Sequence, residues 1–130
     1  MPQMANLIIN DGQTTPVAHT FSPVKNDAGT AVFSDKSGGI AAGYPTISHT
    51  VTAPTKAQKY YKHRIKVSVP TLDTAIGAVN PVAFSHGGDC VLFCPERGTA
   101  ANRKDLFAYI GNYFLNASAK VSLENNESWY

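Results

Sequence analysis

Polar and apolar residues alternate with a period of two through much of the chain before Pro95. The clearest case is Lys59–Pro70, KYYKHRIKVSVP. In a strand, Lys62, Arg64, Lys66 and Ser68 point to one face, and His63, Ile65, Val67 and Val69 to the other. Thr46–Thr52 repeats the pattern, with Thr46, Ser48 and Thr50 against Ile47, His49 and Val51. Val17–Ser22 alternates as well, placing Val17, His19 and Phe21 together. Leu7–Asn10 and Thr30–Ser34 are short strand-like runs, and Val82–Cys94 is a last strand ended by Pro95. Turn signals separate them: Asp11-Gly12, Asn26–Gly29, Ser37-Gly38-Gly39 and the proline-bearing Ala53–Gln58. Leu72–Pro81 reads as a loop with a small-residue tip. Gly87-Gly88 weakens the first half of the last strand and marks a bulge or a close backbone approach.

After Pro95 the period changes. Thr99 is an N-cap, and Leu106, Ile110, Tyr113, Phe114 and Ala117 form a helical stripe. Asp105 near the helix start suits the helix dipole. Phe107, Tyr109 and Leu115 widen the apolar face beyond what a lone amphipathic helix needs. Val121–Tyr130 adds a short further turn of helix. Strands first and helix last give an α+β fold with an antiparallel sheet. One helix of about 18 residues covers such a sheet poorly. A second copy supplying the missing cover predicts a homodimer.

A chain of 130 residues predicts one domain with a modest core. No apolar run approaches the roughly 18 residues of a membrane span, and no signal-peptide pattern opens the sequence. The net charge is +2, but it is unevenly spread. Residues 36–72 hold six bases (Lys36, Lys56, Lys59, Lys62, Arg64, Lys66) and no acid; the remainder is net −4. Charge gathered on one segment points to a polyanionic partner.

Other chemistry has weak support. His86, Cys90 and Cys94 are spaced four apart, but in a strand that separation is roughly 13 Å, too far for one metal ion. Two cysteines make no disulfide framework, and both read as reduced, buried residues. There is no phosphate-binding glycine loop, nucleophile elbow or zinc-protease helix motif. No catalytic residue, metal or cofactor is therefore assigned. The alternative to a nucleic-acid binder is a small dimeric enzyme or ligand-binding domain using His86, Asp89 or Cys90. The basic strand favours the first. Cations and hydroxyls on one flat face suit an unstacked RNA loop or bulge, which a sheet can reach, rather than the deep groove of an RNA duplex.

The order of elements also resembles the coat proteins of single-stranded RNA bacteriophages, the levivirus group. Lys62–Pro70, Pro81-Val82-Ala83 and the terminal Tyr130 carry the resemblance. It is strongest between Tyr44 and Leu115. It implies an N-terminal β-hairpin, a meander sheet and C-terminal helices. It also implies an interlocked homodimer with one continuous sheet, each subunit's helices lying across the partner's sheet. Dimers would build an icosahedral shell around the genomic RNA, assembled in the bacterial cytoplasm. An RNA hairpin would bind the inner face and repress replicase translation. The Leu72–Pro81 loop would gather at symmetry axes. By strand parity the RNA face would comprise Thr46, Ser48, Thr50, Lys62, Arg64, Lys66, Ser68 and Asp89. The family's stacking tyrosine is replaced by Gly87; either His86 takes its place through a local bulge, or specific reading of the hairpin is weakened.

Overall fold

The computed structural model describes residues 2–75 and 81–129. Six strands run in sequence order across one sheet: β1 (Leu7–Asn10), β2 (Ala18–Asp27), β3 (Thr30–Ser34), β4 (Thr46–Thr52), β5 (Tyr60–Leu72) and β6 (Val82–Pro95). The sheet is an antiparallel meander joined by short turns, as the spacing of turn residues requires. A short 3-10 turn, Ala41–Gly43, precedes β4. The β3 and β4 boundaries agree with the alternation. β5 continues past Pro70 to Leu72. Residues 76–80, most of the loop assigned to symmetry contacts, lie outside the described residues, as does Tyr130.

The first hairpin departs from a two-residue turn at Asp11-Gly12. Asp11 instead organises a wider loop, its carboxylate accepting from the Gln13 and Val17 amides at 3.3 and 3.0 Å. β2 runs through Pro23 because the register shifts between Pro23 and Lys25. A bulge is where a residue without an amide donor is tolerated. At the β2–β3 turn Ala28 and Gly29 have φ of 45° and 82°, the left-handed pair a tight hairpin needs. Glycine is required at 29, since a Cβ there would meet the Val51 carbonyl oxygen at 2.9 Å.

The chain forms two compact units, Met1–Phe93 and Cys94–Tyr130. In the first unit, Phe21 and Phe33 are buried. One sheet face presents Ala31, Phe33, Ile47, His49 and Ile65 to a groove of about 420 Å³ that the N-terminal segment Pro2–Ala5 also lines. His49 and His63 meet on this face, Nε2 to Nδ1 at 3.0 Å. Burial first, and the His49 ring second, lower the His63 pKa.

In the second unit, α1 (Ala100–Leu115) begins at Thr99 with a capping box. Thr99 Oγ1 accepts from the Asn102 amide and the Asn102 side chain accepts from the Thr99 amide. Asp105 lies beyond the first turn, which holds no acid, so it does not serve the dipole as expected. The helix does not continue through Ala117. Asn116 leaves helical geometry (φ −67°, ψ 133°), and its side chain accepts from the Ser118 and Ala119 amides. This caps a second helix, α2 (Ala117–Asn125).

His19 ties the first hairpin to the end of β3. Its Nδ1 lies 2.8 Å from Asp35, which is buried, and its Nε2 lies 3.2 Å from Asp11. Hydrogen bonds to Asp35 and Asp11 raise the His19 pKa above its usual 6.5. Asp11 and Asp35 lie below their usual 3.8, held first by the Val17 and Ser37 amides respectively. The histidine's contribution is therefore complete below pH 6.5 and is lost as pH rises through its raised value. The carboxylates contribute above pH 3.8, and that is lost as pH falls through their lowered values. The melting-temperature deficit of His19→Ala should be greatest between these limits and shrink toward about pH 9. A deficit that grows with alkalinity in thermal unfolding would contradict this clasp.

Candidate nucleic-acid interface

β4 and β5 pair in one unbroken register: Thr46 with Ser68, Ser48 with Lys66, Thr50 with Arg64 and Thr52 with Lys62. Residues opposite one another share a face. The hydroxyls of β4 and the cations of β5 are therefore neighbours by construction. Ser48, Thr50, Thr52, Lys62, Arg64 and Lys66 together line a shallow concavity of about 350 Å³. Thr52 was missed because it ends its strand, where periodicity fades. Thr30 extends the hydroxyl row onto β3, its Oγ1 lying 3.0 Å from that of Thr50.

β6 adds the third row. Three cross-strand contacts fix its alignment on β5. Tyr60 meets Phe93 with ring centroids 5.1 Å apart. Arg64 holds Asp89, and Ser68 Oγ lies 3.2 Å from Ser85 Oγ. Each step of four residues along β5 is matched by four in the opposite direction along β6, so the strands are antiparallel with no net insertion. Lys66 then faces Gly87. No bulge turns His86 toward the cations. It falls on the opposite face, edge-on to Phe84 at 5.6 Å between centroids. The expectation that His86 replaces the missing tyrosine is corrected on that ground. Cys90 shares His86's parity, whereas Asp89 lies across the sheet from both, so His86, Asp89 and Cys90 do not converge into an active site. Among the described residues no three His, Cys, Asp or Glu side chains are placed to hold a metal ion.

Asp89 and Arg64 form a fork. Arg64 Nε donates to both carboxylate oxygens at 3.0 and 3.1 Å, and Nη2 donates to Oδ2. Bidentate geometry makes this stronger than a monodentate surface pair. The Arg64 hydrogen bond, helped by the charges of Arg64, Lys66 and Lys62, lowers the Asp89 pKa; Asp89 in turn raises that of Arg64. Asp89 is thus a carboxylate at neutral pH, set among cations. Both partners remain well exposed, so the pair orders the surface more than it stabilises the fold.

The arrangement can grip a polyanion. Lysines offer point charges, hydroxyls offer hydrogen bonds to phosphate, sugar or base edges, and Asp89 can accept from a base amino group.

A family model described as levivirus coat protein matches residues 2–130. The virus-like particle of bacteriophage ESE058 shares 29% identity over 99% of this chain and 100% of its own, with a TM-score of 0.88. The particle of bacteriophage NT-214 shares 27% over 99% and 100%, also at 0.88. An unassembled bacteriophage coat protein dimer, described as an RNA-binding dimer, shares the fold at 15% identity, covering 98% of each chain with a TM-score of 0.73. No curated protein sequence matches.

Replacing Arg64 by alanine removes the largest cause of the Asp89 shift. Carbon-detected NMR titration should then find the Asp89 carboxyl moved up toward its ordinary 3.8. An unchanged midpoint would mean that the fork does not persist in solution.

Proposed function

The chain belongs to the levivirus coat protein family, and from that premise we propose that the concave face of β4, β5 and β6 is where its shell holds single-stranded RNA. The protein is a capsid protein rather than an enzyme, and its place is the virion. The reading of the face rests on one observation: three cations and three hydroxyls border a single concavity on the polar side of the sheet. Thr46, Ser68 and Asp89 extend the same surface. An unpaired RNA loop fits a surface of this kind, whereas a regular duplex hides its bases from it.

Self-association follows from what one chain leaves uncovered. Among the described residues α1 buries no side chain, and Phe107, Tyr109, Tyr113, Phe114 and Leu115 are exposed. β6 ends the sheet with 14 residues, and an edge that long invites another strand. A second copy continuing the sheet and laying its helices over the apolar face meets both needs. The dimer then presents two basic faces to the shell interior, where an RNA hairpin is bound and replicase translation repressed. A second reading, packaging by charge alone, is favoured by Gly87, which leaves no ring where the family stacks a base.

Expressed alone, the chain should form closed particles by negative-stain microscopy, with the absorbance ratio of enclosed RNA. Lys62→Ala and Lys66→Ala should each weaken RNA binding and flatten its log–log salt dependence by about 0.7, one phosphate contact on a single strand. A variant that loses its dimer instead would show that this face packs between subunits. Equal affinity for the genomic hairpin and a scrambled one would select packaging by charge alone.

A further inference from the structure

The basic stripe does not end at Lys62. Two residues earlier on β5, and so on the same face about 7 Å along the strand, stands Tyr60. Its cross-strand neighbour is Phe93. The rings meet edge to face, 5.1 Å between centroids and 87° between planes. Phe93 is 52% exposed, unusual for a phenylalanine on the polar side of a sheet. An edge-to-face pair occupies one ring's face with the other ring's edge and leaves further π surface open.

We propose that Tyr60 and Phe93 form a stacking site for an unpaired RNA base, the adjacent phosphates being held by Lys62 and its neighbours. This rests on the RNA-binding reading of the face and extends it to a second kind of contact. Lysine beside exposed aromatic rings is the combination that holds single strands: cations track the backbone while rings stack bases of any identity. A bare cross-strand aromatic pair explains sheet stability, but it does not explain why Phe93 stays open to solvent beside a half-buried Tyr60, in line with the cations. Continuity with the concavity selects a base as the occupant rather than an apolar peptide. The ligand's negative charge is met by Lys62, Arg64 and Lys66, and the one acid among the described residues of β4, β5 and β6 is Asp89, which Arg64 already holds. The site also restores an aromatic contact that Gly87 removes, at the other end of the stripe.

The test uses the full chain, held below its assembly concentration, and a single-stranded RNA 12-mer carrying one 2-aminopurine. Stacking on an aromatic ring quenches this base. Binding should quench it in the unchanged protein. Phe93→Leu and Tyr60→Leu keep apolar bulk and remove a ring. Each should lose the quench and about tenfold in affinity, with the salt slope unchanged because no charge is removed. Lys62→Ala should do the reverse, keeping the quench and flattening the slope. Unaltered affinity and quenching in both ring variants would overturn the stacking site. So would loss of the dimer with either leucine, which would assign the rings to packing between copies. If the unchanged protein shows no salt-dependent binding at all, the RNA-binding reading itself fails, a result distinct from either.

Discussion

The shared register of β4, β5 and β6 is the constraint on which the rest depends. A strand's side chains repeat every two residues, so a slip of one would exchange the two faces completely. Lys62, Arg64 and Lys66 would turn toward the apolar groove, and Ile65 and Val67 toward water. Desolvating an unpaired cation costs several kcal/mol, and three would have to be desolvated together. Turn chemistry alone could not fix the alignment this firmly. Thr50 opposite Arg64, Arg64 opposite Asp89 and Ser68 opposite Ser85 are possible only in the observed register. The polar contacts on the surface and the apolar contacts beneath it therefore specify the same pairing.

That register also sets the electrical character of the face. Asp89 takes the fork of Arg64, so a phosphate approaching the stripe meets an arginine that is already paired. Among the described residues Lys62 and Lys66 carry no ion pair, and they supply the readily available charge. In the proposed RNA-binding role, the carboxylate would trim non-specific attraction and add an acceptor for base donors. A wholly cationic stripe would bind any RNA more tightly and distinguish sequences less.

Period-two alternation made the two faces of β4 and β5 legible in the sequence, and the same parity put Cys90 and Cys94 on the apolar side of β6. It failed where backbone chemistry overrode it. The alternation of Val17–Ser22 stops short of the strand's end at Asp27, because the bulge that carries β2 past Pro23 has no sequence signature at one residue's resolution. Asn116 was passed over because a cap in the middle of an apolar stripe looks like a surface position on one long helix. His86 was placed on the wrong face because Gly87-Gly88 suggested a bulge, whereas glycine weakens a strand without necessarily inserting a residue. Tyr60 and Phe93 are far apart in sequence, and only the β5–β6 alignment makes them neighbours.

The remaining constraint is burial. Phe21, Phe33, Leu92, Cys94 and Ala119 are the only buried apolar residues among the described ones in the single chain, although 43% of the sequence is hydrophobic. Val51, Val67 and Val69 on the apolar face of the sheet, and Phe107, Phe114 and Leu115 on the helix, remain open. A core this small leaves little to offset the conformational entropy of 130 residues. Partner binding must therefore supply part of the stability, and the folded population depends on subunit concentration. For a shell subunit this dependence is useful. The same uncovered surfaces that weaken the lone chain drive pairing, and the long β6 edge, hazardous in a monomer, is removed when the sheet continues into a second copy. Folding and the first step of assembly are then one process, governed by the apolar face, which leaves the basic face free for the RNA-binding role proposed for it.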